Sequence, residues 1–328
     1  SLLRRDMGDV VDVNAVSLST AVHDESEMQD WLQREQPDVV GISALNVERE
    51  YAVTLARAVR RYDQGTLILV GGPYATYLPE ECLKWTDTDV IFRGEADFTV
   101  TRLLEAAVAG GDLSRVPGIG FLNGEEVVLT DLPGPIEDLD ALPMPAWDLV
   151  DFESYSRMYN MLGLPLVKPL YTCLLTSRGC PYRCSFCHNY FGRRFRPRSP
   201  ESVLQEMEFL YDRHGVSEFH IVDDVFNFDG DRVEAICRGI LDRGLDVALA
   251  FPNGVRGDIF DRSQLKLLAR AGCFSMCLSL ESASPRIQKL MHKRLNLPRL
   301  GQTVRTATDM GIITQLIFMV GYPSETRE

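Results

Sequence analysis

The sequence predicts an α/β protein in two parts: an open parallel sheet with helices on its faces, then a partial (β/α) barrel. Three observations carry that expectation. The first ~115 residues alternate β-branched apolar runs with amphipathic stretches, the pattern of βαβ units. A segment with four prolines at 133, 135, 143 and 145 then disfavours both helix and central strand. After it the alternation resumes with strand-to-strand spacings of about 25–45 residues, which suits a barrel.

In the first part, "DVVDVNAVSL" (9–18) is the opening apolar run, and "DESEMQDWLQREQ" follows as an amphipathic helix with Met28, Trp31 and Leu32 on one side. "PDVVGISAL" reads as a buried strand started by Pro37, and "EREYAVTLARAVRRYD" as a long helix with Tyr51, Leu55 and Val59 four apart. "TLILVGG" is a second buried strand, "TDVIFRGE" a shorter third, and "DFTVTRLLEAAVAGG" the helix after it. Their carboxyl ends fall at Ser43–Leu45, Gly71–Gly72 and Gly94–Glu95, where doubly wound sheets bind ligands. A strand preceding these is expected upstream of Ser1. The domain is bounded at 1–116.

"GIGFLNGEEVVLTD" reads as a hairpin turning at Asn123-Gly124. With the Pro-rich stretch it forms a connecting segment, 117–150. The second domain spans 151–328, with strands expected near 171–177, 217–223, 247–251, 274–280 and 313–320. Ser199 is a plausible N-cap, with Pro200 in the first turn and Gly215 as the stop. Polar residues follow each strand: three cysteines, then "DDVFN" (Asp223–Asn227), "PNGVRGD" with Arg256 and Asp258, "ESAS" from Glu281, and "GYPSET" from Gly321. Barrel enzymes place their chemistry at these ends.

Composition narrows the class. Hydrophobic residues are 45% and charged residues 25% of the 328, as in globular proteins. No apolar run reaches the ~18 residues of a membrane span, and no leader pattern opens the chain. The net charge of −13 repels phosphate backbones, so nucleic acid is not the expected partner. "GRRFRPR" (192–198) is the one candidate basic patch and is read as a solvated loop. Of eight cysteines, Cys82, Cys173, Cys237, Cys273 and Cys277 sit in apolar contexts and are read as small buried hydrophobes.

The other three, Cys180, Cys184 and Cys187, crowd into C-x3-C-x2-C directly after an apolar run. Three thiolates are one short of a closed tetrahedral zinc site, and His188 follows Cys187 too closely to complete one. "CSFCH" formally matches a c-type haem attachment, but that match ignores Cys180 and needs an oxidising, exported setting. An iron–sulfur cluster suits the count: three thiolates hold a cubane and leave one iron open to a small molecule.

Here the stretch resembles the signature of the radical S-adenosylmethionine (SAM) superfamily, C-x3-C-x2-C with an aromatic, Phe186, before the last cysteine. The resemblance implies that Cys180, Cys184 and Cys187 ligate a 4Fe–4S cluster whose open iron chelates SAM. Cleavage of SAM would then give methionine and a 5′-deoxyadenosyl radical. Arg256, Glu281 and Ser282 match positions that hold SAM's polar groups, with a barrel-rim salt bridge as the bland alternative for Arg256, Asp224 and Glu281. "DDVFN", with Asp224, resembles the family's D-D-x-F, and "GYPSET", from Gly321, its G-x-P-G-E-T with Ser324 where glycine is usual.

"SAL" (Ser43, Leu45) followed by Gly71 and Gly72 resembles the cobalamin-binding S-x-L…G-G pattern, in which small residues let backbone approach a macrocycle. "GGPYAT" and "RGEAD" (Gly94, Glu95) resemble flanking family motifs, with Tyr74 in place of a histidine and Ala96 in place of a glycine. The D-x-H-x-x-G cobalt-ligand element is not seen. The chain is thus identified as a cobalamin-binding-domain-containing radical SAM superfamily protein, expected to be cut at both ends. That implies an N-terminal Rossmann-like (flavodoxin-like) cobalamin-binding domain and a partial TIM-type barrel.

The implied activity is functionalisation of an unactivated carbon, with C-methyl transfer from cobalamin foremost. Oxidative cyclisation or another rearrangement on the same cofactors is the alternative; methylthiotransfer and a non-catalytic cobalamin-binding role follow. A small-molecule substrate, an external reductant of flavodoxin or ferredoxin type and a reducing cytoplasmic setting are implied, with no nucleic acid and no membrane span.

Overall fold

The β-branched runs of the first part form parallel strands, of which the inner two bury both faces while the edge strand Val39–Ser43, expected to be buried, leaves Val39, Gly41 and Ser43 exposed. In a computed structural model describing residues 1–16, 25–157, 163 and 166–326, the chain forms two compact units, Ser1–Ile136 and Glu137–Glu328. In the first unit β1 (Val39–Ser43), β2 (Leu67–Gly71) and β3 (Val90–Phe92) pair in parallel. Period-two alternation splits their side chains between two cores. Ile42, Ile68, Val70 and Ile91 pack against Leu32, Ala52, Ala56, Val59 and Tyr74 on one face. Leu69, Val90 and Phe92 pack against Leu103, Leu104 and Ile119 on the other.

Two expectations shift here. In the helix Arg49–Tyr62 the buried stripe is Ala52, Ala56 and Val59, not Tyr51, Leu55 and Val59. Alanine lets the helix lie close to the sheet, and Tyr51 is left 68% exposed. The hairpin, set apart in the sequence reading as part of the connecting segment, completes the first sheet instead. Its strands β4 (Ile119–Asn123) and β5 (Glu126–Leu129) pair antiparallel beside β3, around Gly124 at φ +63°. β3 would otherwise leave an open strand edge there, and β4 pairs along it with Ile119 wholly buried. The run 9–18 forms no strand over residues 9–16, and 17–18 lie outside the described residues.

The second unit holds five parallel strands in sequence order: β6 (Tyr171–Leu174), β9 (Glu218–Ile221), β10 (Ala248–Val255), β11 (Cys273–Glu281) and β12 (Ile313–Phe318). Sequential neighbours joined by helices are the walk around a (β/α) barrel. One strand face, with Phe219, Ile221, Leu249, Phe251, Met276 and Leu278, packs on the helices. Ser199 Oγ caps the helix Pro200–His214 by accepting from Ser202 N, and Gly215 ends it at φ +67°. The Pro-rich segment from Glu137 is docked on this unit, not free: Trp147 Nε1 donates to buried Glu206 Oε1 (2.9 Å) and Asp140 accepts from Ser199 N.

The strand expected over 171–177 stops at Leu174. Ser177–Arg178 (β7) turns away to pair with Arg196–Pro197 (β8), stapling the base of the cysteine loop. This corrects the solvated reading of "GRRFRPR" for Arg196 and Arg198, while Arg193 and Arg194 are exposed as expected. Arg196 is buried and donates to Phe191 O, Arg198 pairs with buried Glu206, and Arg193 bonds Tyr182 O. The guanidiniums of Arg193 and Arg196 hold the loop, and that of Arg198 ties its end to the helix Pro200–His214. Among the described residues no helix is long and apolar enough to cross a membrane.

Candidate active site

The cysteine loop starts at a backbone kink only glycine tolerates. Gly179 has φ +81°, and a Cβ there would collide with Arg194 O while standing 3.0 Å from Gly192 O. Its N–H donates to Asp224 Oδ2 (3.1 Å), and Cys180 N bonds Gly192 O (3.1 Å). Just before it, the buried Asp223 accepts from Thr176 N (2.6 Å), Thr176 Oγ1 (2.6 Å) and Ser177 Oγ (2.5 Å). Asp223 therefore fixes the β6–β7 turn, and Asp224 fixes the first residue of the loop. Burial raises the pKa of both carboxyls, against these hydrogen bonds.

Cys180 and Cys184 are half-buried and Cys187 exposed, and all three thiols are free. Burial pushes Cys180 and Cys187 upward, and the nearby thiols and Asp224 add to it; Arg193 and Lys293 oppose the shift at Cys187. The three are thus close enough to feel one another. Among the described residues no three acidic, thiol or imidazole groups converge on one ion position. A cluster makes no such demand, because each thiolate takes a separate iron. The donor set, three neighbouring thiols with no fourth thiol in the loop, fits a cubane with one open iron.

Every later strand end of the barrel reaches this loop. From β9 comes Asp224. From β10 comes Arg256, whose guanidinium lies 4.0 Å from the Tyr182 ring centre and pairs with Asp258 (2.9 Å). Asn227 pins it, exchanging hydrogen bonds with Arg256 N and O. Beyond β11, Met291 O accepts from Ser185 N (2.9 Å), and Lys293 Nζ lies 5.7 Å from the Phe186 ring centre. From β12, the Tyr322 hydroxyl meets Ser185 Oγ at 2.8 Å.

Glu281, at φ +65°, is buried and pairs with Lys293 (3.0 Å). Ser282 is buried and accepts from Ser284 N. Arg256 and Glu281 thus make the rim ion pairs weighed as the bland alternative. Gly321 N donates to Glu325 Oε2 (2.7 Å), closing the "GYPSET" turn. Ser324 stands at φ +71°, so the serine occupies a left-handed position that suits glycine. Ser324→Gly is expected to stabilise this turn by roughly 0.5–1 kcal/mol, the left-handed cost less glycine's extra unfolded freedom. Amide exchange at Gly321 and Glu325 should slow accordingly; unchanged exchange would remove the strain argument.

In the first unit Ser43 lies opposite Gly71 in the β1–β2 register, at the carboxyl ends of both strands. Gly72 has φ +86°, and a Cβ on it would come 2.7 Å from Ala44 O. Leu45 is 48% exposed at the same edge. Gly94, at φ +75°, donates its N–H to Thr76 Oγ1 (2.9 Å), with Glu95 beside it after β3. Glycine at 72 lets the β2 end pass close to the backbone of Ala44, and a Cβ at Gly94 would meet nothing within 4 Å; small residues at one sheet edge fit a flat macrocycle laid against it. Tyr74 lies fully buried behind, its phenol pushed up to about 12 mainly by burial.

The radical SAM superfamily pattern matches residues 174–328, and the B12 binding domain pattern residues 2–104. The chain belongs to the radical SAM superfamily and carries a B12-binding domain. The cofactors of these two domains are a 4Fe–4S cluster, SAM and cobalamin. It is 30% identical over 308 residues to an uncharacterized methyltransferase of Pyrococcus horikoshii, covering 92% of this chain and 64% of that one. It is 27% identical over 326 residues to an anaerobic magnesium-protoporphyrin IX monomethyl ester cyclase of Cereibacter sphaeroides, covering 97% and 52%. The chain thus spans between half and two thirds of these relatives. Its fold matches the radical S-adenosylmethionine methyltransferase TsrM from Kitasatospora setae with cobalamin and [4Fe-4S] cluster bound. That match has a TM-score of 0.78 at 21% identity, over 99% of this chain and 66% of that one.

Within this radical SAM unit the structure gathers Cys180, Cys184, Cys187, Phe186, Asp224, Arg256 and Glu281 around one loop. Ser43, Leu45, Gly71, Gly72, Gly94 and Glu95 gather at the sheet edge of the B12-binding unit. Sequence reasoning missed Gly179, Tyr182, Ser185, Lys293 and Tyr322, and named Asp223 only within the "DDVFN" motif. Gly179 carried a readable signal, a glycine immediately before the first cysteine. Lys293 carried none, since "HKR" after a short helix reads as a solvated turn.

Proposed function

We propose that this chain is the cofactor-binding portion of a cobalamin-dependent radical SAM enzyme that functionalises an unactivated carbon of a small molecule by methyl transfer. The observation that carries this is the convergence of four barrel strand ends on a loop with three unshared thiols. When bound, the cluster and SAM supply one-electron cleavage of a carbon–sulfur bond, and cobalamin supplies the methyl carrier. The residues' own task is placement. Cys180, Cys184 and Cys187 hold the cluster, and Gly179, Asp223 and Asp224 fix where their loop begins. Arg256, Glu281 and Ser282 line the rim on which SAM's polar groups rest, and Gly321 shapes the turn beside them. Ser43, Leu45, Gly71, Gly72, Gly94 and Glu95 cradle cobalamin. Electrons come from a flavodoxin- or ferredoxin-type partner, in a reducing, cytoplasmic setting.

A second reading, oxidative cyclisation on the same cofactors, is favoured by the cyclase relative that aligns over 97% of this chain. Electron paramagnetic resonance on the full-length, anaerobically reconstituted, dithionite-reduced protein tests the common part. A reduced 4Fe–4S signal that shifts when SAM is added is expected. Zinc in place of iron, or a signal indifferent to SAM, would overturn the proposal. The products separate the two readings. Methylation yields S-adenosylhomocysteine together with 5′-deoxyadenosine, and cyclisation only the latter.

A further inference from the structure

The cysteine loop is buttressed by a segment whose backbone is under strain. Among the described residues five non-glycines adopt left-handed φ, and three of them are Glu281 (65°), His292 (56°) and Arg294 (51°). They enclose one ion pair. Lys293 Nζ lies 3.0 Å from Glu281 Oε1, and both side chains are more than nine-tenths buried. Strained conformations persist only where the surroundings dictate them.

The surroundings do so here. Lys293 N and Arg294 N both donate to Gln288 O, and Leu295 N donates to Gln288 Oε1. Gln288 Nε2 in turn bonds Leu280 O and Ser282 O, both at 2.7 Å. Arg256 draws the carbonyls of Lys293 (3.1 Å) and Arg294 (3.3 Å) to itself. With its carbonyl held by Arg256, Lys293 sends its ammonium to Glu281 and over Phe186, the residue before Cys187. A buried ion pair adds little to stability against apolar residues of the same volume. This one is kept at a backbone cost, beside the thiols.

We propose that Lys293 is a positioning residue for the cluster. It is a fixed cation, oriented by Glu281 and Arg256 against Phe186, that favours the reduced state of the iron–sulfur centre. This rests on the cluster reading above. Net charge near a cluster is one of the levers on its potential, and a cation stabilises the form carrying the extra electron.

The test is a potentiometric titration, followed by electron paramagnetic resonance, of the reconstituted full-length protein without SAM. In Lys293→Met, with iron and sulfide content unchanged, the reduced-to-oxidised ratio at a fixed potential should fall about tenfold, a shift of roughly 59 mV for a one-electron couple. Lys293→Arg, which keeps the charge, should stay within about twofold of wild type. The pair Glu281→Gln with Lys293→Met should recover part of the loss, because no unpaired carboxylate remains. It also carries the test if the single variant loads poorly. A wild-type midpoint in Lys293→Met, an equal shift in Lys293→Arg, or failure of both the single and the paired variant to load iron while Lys293→Arg loads would each overturn the inference. A wild-type protein that binds no cluster would defeat the cluster reading itself, a result distinct from these.

Discussion

Replacing any one of Cys180, Cys184 and Cys187 by alanine is expected to abolish the reduced cluster signal and leave no SAM cleavage above background. A cubane held by three thiolates loses a third of its protein ligands with any one of them, and the nearby Asp224 is committed to Gly179 N. The fold should survive. The loop is anchored by Asp223, Asp224, Arg196 and the β7–β8 ribbon, none of which involves a thiol. Far-ultraviolet circular dichroism of the apo variants should therefore match that of the apo parent. Cys273→Ala is the contrasting control. That thiol is buried in the barrel core, so its loss should lower stability by on the order of 1 kcal/mol while the cluster still forms. Retention of a SAM-responsive signal in any of the three loop variants would refute the ligand assignment.

The second large effect is expected from Gly179→Ala. A left-handed alanine costs ~1–2 kcal/mol by itself, and here its Cβ would also press on the carbonyls of Arg194, Gly192 and Phe191. Those atoms are backbone and cannot rotate away. The sum, on the order of 3 kcal/mol or more, exceeds the ~1–3 kcal/mol at stake in the charge-assisted Gly179–Asp224 hydrogen bond. The loop should open to escape the contact, giving up that bond and the one from Cys180 N to Gly192 O. Iron incorporation should fall severely while the urea midpoint of the barrel unit moves little, because the strain is released locally. Normal iron content would show that the kink is dispensable.

Much of the architecture was legible because it depends on neighbours close in sequence. The period-two run of Leu67–Gly71 dictates which side chains meet each core, and Ser199, Pro200 and Gly215 bound their helix through contacts within a turn. The C-x3-C-x2-C spacing is local as well, and so is the pairing of small residues at two successive strand ends, Ser43 and Gly71.

Side-chain partners were not legible. The adjacent aspartates look alike in sequence, yet Asp223 reaches back to Thr176 and Ser177 whereas Asp224 reaches Gly179. Arg196 and Arg198 of "GRRFRPR" look solvated until Glu206 and the carbonyl of Phe191 are brought to them. The hairpin of Asn123-Gly124 was plain, but not that it would close the edge beside β3.

By itself, then, the sequence determined the two α/β units, the three-cysteine spacing and the small-residue sheet edge, since periodicity and spacing act over a few residues. Only the tertiary structure decided that Asp224, Arg256, Lys293 and Tyr322 meet one loop. A side chain's direction and charge partner depend on backbone arriving from 30 to 140 residues away, and parallel barrel strands bring such distant ends to one rim.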